Sequence, residues 1–124
     1  MFAEDIKQLT KENTNFRKVL YTGKHSQIVA MSISVGEDIG DEVHEDVDQM
    51  LFFVKGKAEA VVNGERKNVE EHDVVFVPAG ARHNFINIGD EDLKLFTVYA
   101  PSEHPDGTIH VTKEDAEKAE REER

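Results

Sequence analysis

Apolar positions along this chain recur mostly with a period of two, which is the spacing of a strand with one buried face. From Gln27 to Val35 the alternation puts Val29, Met31, Ile33 and Val35 on one side and Ala30, Ser32 and Ser34 on the other. Lys57 to Val62 alternates again, and Asn63-Gly64 follows it. That pair predicts a two-residue hairpin, because a type I′ turn needs positive φ at both central positions. Phe16 to Thr22 and Leu93 to Ala100 read as further strands, ended by Gly23-Lys24 and Pro101. Met50 to Val54 is a near-continuous apolar run, which predicts a strand buried on both faces, and apolar Val74 to Val77 predicts a short buried strand. Thr108 to Val111 predicts one more short strand after the turn Pro105-Asp106-Gly107.

Many short strands with turn signals between them predict an all-β domain, a small barrel or jelly roll of two antiparallel sheets. Residues 1–112 are expected to form one barrel domain with an N-terminal arm. Met1 to Asn15 is polar with scattered apolar positions (Phe2, Ile6, Leu9), and reads as a short helix or an arm over a partner subunit. Residues 113–124 are a charged tail without an apolar stripe, with Thr112 placed as a helix N-cap and Asp115 three residues on. This tail is expected to be a solvated helix or disordered.

Charge narrows the list of partners. The 124 residues carry 26 acids against 15 bases, a formal net charge of −11. So acidic a chain is expected to bind neither nucleic acid nor an anionic membrane. There is no cysteine, which excludes disulfides and thiolate metal sites. Any metal must be held by imidazole, carboxylate, amide oxygen or water. No apolar run reaches membrane-spanning length and the N-terminus lacks the apolar core of a signal peptide, so the expected location is cytoplasmic.

Candidate chemistry lies in two segments. In the downstream one, Pro78 and Gly80 force a tight turn and His83 begins the next strand, so the turn fixes the direction of one imidazole. In the upstream one, Glu42 and His44 are two apart and project from one face of a strand. Gln49 opens the next strand after the loop Glu45 to Asp48, and offers a neutral amide oxygen. Two imidazoles with a carboxylate can hold Fe(II), or Zn(II) with an open position. Asp46 and Asp48 are alternative carboxylates, and Glu42 itself belongs to a run of seven acids from Glu37 to Asp48 that also suits a solvated face. Alternation turns Arg82 away from the cavity. Phe52, Phe76, Phe85 and Tyr99 are expected to line the core or the cavity wall. His25 and His72 read as loop residues, and His104 and His110 flank a turn.

The spacing Pro78-x-Gly80-x2-His83-x3-Asn87 resembles the second motif of the cupin family. The first motif of that family, Gly-x5-His-x-His-x3–4-Glu-x6-Gly, is matched at Gly56 and at His44, with Glu42 in place of the first His and Gln49 in place of the Glu. His72 stands where a glycine is usual. The resemblance spans roughly Gly23 to Pro101 and implies a cupin barrel, a homodimer, and a divalent metal (Zn, Mn, Fe or Ni) held by Glu42, His44, Gln49 and His83. It implies an isomerase, lyase or oxygenase on a small molecule, with the metal as Lewis acid and Glu42 or a neighbouring acid as proton shuttle. Phosphomannose isomerases are similar in placing a Gln, a carboxylate and two His around zinc, although here amide and carboxylate have exchanged places. A non-catalytic small-molecule binding or sensor module and a structural protein with a decayed site are the alternatives.

Overall fold

A computed structural model describes residues 1–122. The elements in chain order are α1 (Ile6–Glu12), β1 (Arg17–Thr22), β2 (Gln27–Ile33), β3 (Glu42–Val43), β4 (Asp48–Lys55), β5 (Lys57–Val62), β6 (Glu65–Glu70), β7 (Val74–Val77), β8 (Arg82–Asn87), β9 (Leu93–Ala100), β10 (Ile109–His110) and α2 (Lys113–Glu122). They build two antiparallel sheets, one of order β10-β1-β2-β9-β4-β7 and one of order β3-β8-β5-β6. The core lies between the inner faces, where Val29, Met31, Ile33, Leu51, Phe53 and Leu95 of the larger sheet meet Ala58, Ala60, Val69 and Phe85 of the smaller. The mostly β, two-sheet barrel expected from alternation is what the chain forms. Among the described residues no helix is long and apolar enough to cross a membrane.

Local chemistry explains the turns. Asn63 and Gly64 take φ of 49° and 82° and join β5 to β6 with Val62 opposite Glu65, as a type I′ hairpin requires. Gly56 has φ of 94° where β4 passes into β5, and a Cβ there would lie 3.1 Å from Leu93 Cα. Only glycine fits that approach. Asn87 is buried and donates to the Ile33 and Glu91 carbonyls while accepting from Gly89 N–H, so it braces the β8–β9 connection.

Two strands are less buried than expected, β4 on its second face and β7 as a whole. Val74 and Phe76 are 56% and 54% exposed, and in β4 the side chains of Met50 and Phe52 are only half-buried. These residues sit on the outer face of the larger sheet, where Phe52 stacks on Phe96 at 4.8 Å between ring centroids. Phe52 and Phe76 therefore do not line the core, whereas Phe85 and Tyr99 do. Near-continuous apolar runs do not say whether the second face meets the molecule's own core or the outside. A register shift between Phe53 and Lys55 adds to this, because it buries Phe53 and Val54 in succession. Val35 lies beyond the end of β2 and is exposed.

The N-terminal segment forms α1, capped by Asp5 accepting from Gln8 N–H, and α1 packs on β2, β4 and β9 of its own chain. Buried Lys94 donates from Nζ to the Asn13 carbonyl at 2.6 Å and to Ser32 Oγ at 3.0 Å, tying the end of α1 to the sheet. Thr112 caps α2 by accepting from Asp115 N–H. The helix is not merely solvated, because Ala116 is buried within the core cluster. The tail reading extended to Arg124, and Glu123 and Arg124 lie outside the described residues.

Candidate metal centre

The site forms where β3 of the smaller sheet lies beside β8. Antiparallel register sets Glu42 directly opposite His83, and His44 follows just past the end of β3. The turn after β7 holds this corner together. Gly80 N–H donates to the His44 carbonyl at 2.8 Å, and Ala79 N–H donates to Asp48 Oδ1 at 2.9 Å. Glu42, His44 and His83 thereby offer one ligand atom each, all within 4.8 Å of one another. The two imidazole rings lie 5.2 Å apart between centroids.

Hydrogen bonds behind the rings set their tautomers. His83 Nδ1 lies 3.0 Å from the Ala81 carbonyl, which can only accept, so Nδ1 carries the proton and Nε2 the lone pair. His44 Nδ1 lies 3.2 Å from Glu103 Oε1, which assigns its proton the same way. His44 Nε2 stands 2.9 Å from Glu42 Oε2 but off the line of a hydrogen bond, and so is buried without one. Gln49, on the inner face of β4 opposite Tyr99, is buried with no hydrogen bond to Oε1. Tyr99 in turn meets the His44 ring edge-on at 5.9 Å. The unpartnered Gln49 Oε1, the Glu42 carboxylate, His83 Nε2 and, once it gives up its second proton, His44 Nε2 form a donor set that fits a divalent cation.

Electrostatics follow from this crowding. Burial opposes charge on His44, yet the carboxylates of Glu103 and Glu42 outweigh it and raise its pKa to about 9. Burial would raise Glu42, but His44, Arg17 and His83 together hold its carboxyl below the ordinary value. Burial lowers His83, and the neighbouring His44 adds to the shift. The Tyr99 hydroxyl is pushed well up by burial.

Four residues at this site escaped the sequence reading as a group: Arg17, Glu103, His104 and His110. Arg17 stands on the inner face of β1, its side chain 7% exposed, with Nη2 4.0 Å from Glu42 Oε1 and Nη1 donating to His110 Nδ1 at 3.3 Å. His104 packs edge-on against Tyr99 at 5.2 Å, and burial, then the charges of Arg17 and His44, drop its pKa to about 3. Gln27 draws in the segment carrying it, donating to the His104 carbonyl and accepting from Glu103 and His104 N–H. The alternation of β1 put Arg17 in phase with buried Val19, which was the available signal. Nothing in the sequence spacing linked His104 to His44. The other expected placements are plain. Arg82 is exposed and pairs with Asp41, Asp46 is exposed, and Asp48 serves the turn, so neither alternative carboxylate joins the cluster.

A cavity of about 110 Å³ adjoins the cluster, lined by Arg17, Glu42, His44, Glu103, His104 and Lys113 among others, with α2 along its side.

The model of the cupin domain family matches residues 29–99. The chain belongs to the cupin family. This cupin is 46% identical to the uncharacterised protein YrkC of Bacillus subtilis, over 96% of the chain and 67% of that protein. It is 38% identical to an uncharacterised protein of Acanthamoeba polyphaga mimivirus, over 91% of the chain and 73% of the relative. A crystal structure of a Bacillus halodurans protein superposes with a TM-score of 0.93 at 40% identity, covering 94% of this cupin and 93% of that chain. The two-motif resemblance in the sequence is accordingly a true family relationship.

Proposed function

We propose that this cupin holds one divalent metal through Glu42, His44 and His83, with the Gln49 amide oxygen as fourth donor, and acts on a small molecule. The observation that supports this most is the pair of imidazoles whose Nδ1 protons are committed behind them, to Ala81 and Glu103, which leaves Nε2 of His83, and Nε2 of His44 once it sheds its second proton, for the cluster. A divalent cation bound there would supply Lewis acidity toward a carbonyl or hydroxyl oxygen. The mixed oxygen and imidazole set suits Zn, Mn, Fe or Ni. Glu42 turns one oxygen to His44 and the other toward Arg17, and we assign it proton transfer as well as binding. Cavities of about 110 Å³ and 440 Å³ both reach Glu42, His44 and Glu103, so a lyase, isomerase or oxygenase reaction on a small molecule is the best fit.

A specific observation favours a second reading, binding without turnover. The depressed pKa of Glu42 makes it a weak proton acceptor near neutrality. Elemental analysis of untagged protein tests the shared premise. Wild type is expected to carry or take up one metal, and His83→Ala to bind it more than about 100-fold more weakly, since loss of a ligand exceeds the 10–100-fold cost of losing a residue behind one. A wild type that takes up none defeats both readings.

We also propose a homodimer. Supporting it, Phe76, Met50, Val98 and Ile28 lie in direct cross-strand register on the outer face of the larger sheet and leave an apolar band across four strands. Light scattering is expected to give twice the chain mass for wild type and a shift to monomer for Phe76→Glu; a wild-type monomer defeats the proposal.

A further inference from the structure

The imidazoles of this metal centre are shut away from solvent. His44 Nε2 is buried, the His44 side chain is 9% exposed and His83 is 3% exposed. A hydrated cation cannot reach both rings while the wall over them stays in place, so some element must move for metal to enter or leave. One helix stands along both openings that lead to the site. α2 supplies Glu117 and Glu120 to the cavity of about 110 Å³ and to a groove of about 440 Å³, and both reach Glu42 and His44.

The segments over this end of the barrel are held unequally. Residues 101–111 are fastened to the larger sheet. Gln27 bonds to residues 103 and 104, the Thr108 carbonyl accepts from Val19 N–H, the Val111 carbonyl accepts from Phe16 N–H, and β10 pairs with β1. α2 begins just past the last of these bonds, with Thr112 as its cap. Its ten residues, Lys-Glu-Asp-Ala-Glu-Lys-Ala-Glu-Arg-Glu, contain two apolar side chains, buried Ala116 and half-buried Ala119. So short a helix does not persist in water on its own, and α2 depends on its docking. Few buried apolar contacts make it a unit that opens at lower cost than the barrel. Lys113 ties it to the smaller sheet by pairing with Asp38, which also accepts from Asn84 Nδ2 of β8 and bridges to Ile86.

We infer that α2 is a gate on the metal centre, hinged at Thr112 and latched by Lys113 on Asp38. Docked, it walls both openings; swung away, it uncovers the Glu42 and His44 side of the cluster. It therefore sets how fast metal exchanges without setting how tightly metal binds. This inference rests on the metal reading and adds the control of access to it.

The experiment follows zinc uptake and zinc release separately by stopped flow, in untagged protein whose zinc content is measured by elemental analysis. Uptake is read with a weak fluorescent zinc indicator and release with an excess of a coloured chelator. Wild-type release is expected to be independent of chelator concentration, whereas a site open to solvent is attacked by the chelator and loses zinc faster as more is added. Lys113→Gln and Asp38→Asn both break the latch. Each is expected to speed uptake and release by the same factor, about fivefold for a partly exposed ion pair, at one zinc per chain and unchanged Kd. Ala116→Asp, which puts a charge where the helix docks, is expected to speed both at least about tenfold. The two latch variants change the local charge in opposite senses, so a direct effect on the cation would shift their Kd in opposite directions. Unchanged rates in all three variants, acceleration of only one of the two rates, opposite Kd shifts, or wild-type release that climbs with chelator overturns the inference, while one bound zinc leaves the metal reading standing. A wild type that takes up no zinc overturns both.

Discussion

At the residue scale, the site is governed by what stands behind each imidazole. His44 is wedged between Glu42 and Glu103, so without metal it holds a proton up to about pH 9. An imidazole must be neutral to bind a metal, so metal uptake at pH 7.5 is expected to expel about one proton per site. The number should fall to about one half near pH 9 and toward zero above it, and should be smaller in Glu103→Gln, which removes one of the two charges that raise the pKa. Calorimetry in buffers of different ionisation enthalpy counts these protons directly. Some of this was legible in the sequence. His83 announced itself because Pro78 and Gly80 restrict the chain before it, and Glu42 and His44 because a two-residue spacing shares a strand face. Glu103, His104 and Arg17 were not, because their proximity to His44 depends on contacts across a long separation. The Gln27 side chain that draws residues 103 and 104 inward looks in the sequence like any polar strand residue.

At the element scale, the alternation of β2 and β5 and the Asn63-Gly64 turn predicted their own structures, because these depend on neighbours a few positions away. Gly56 is a sharper case. Its left-handed φ and its close approach to Leu93 and to the Asp92 carbonyl act together. Gly56→Ala is therefore expected to cost about 2–3 kcal/mol, a left-handed penalty of about 1–2 kcal/mol plus backbone displacement. Gly64→Ala, where the added Cβ meets nothing within 4 Å, should cost only about 1 kcal/mol. Urea denaturation midpoints at matched slopes distinguish the two. The faces of β4 and β7 were harder to assign. An apolar side chain on an outer face, such as Phe76, has the same sequence signal as one in the core.

At the scale of the whole molecule, two histidines pull the pH dependence in opposite directions. Relative to an ordinary value of 6.5, His44 is raised to about 9 and His104 is lowered to about 3. A raised pKa stabilises the fold fully below 6.5, and that contribution is lost as pH climbs toward 9. A lowered histidine pKa means the fold excludes the proton, so stability is full above 6.5 and declines as pH falls toward 3. The depressed Glu42 adds to the acid-side loss. Metal-free protein should thus be most stable near pH 6–7, with each limb approaching about 1.4 kcal/mol per pH unit per proton. Chemical denaturation across this range should show the alkaline limb flattened in His44→Gln and the acid limb reduced in His104→Phe. The sequence by itself determined which segments become strands, where the turns fall and which two short motifs carry ligand-type side chains, because period-two alternation, Pro and Gly act over a few residues. Only the tertiary structure decided that Arg17, Glu103 and His104 join those motifs around one cavity, and that the second apolar face of β4 and β7 is left open. Both depend on how the two sheets close and how residues 101–122 fold back over their end, and no local spacing encodes that closure.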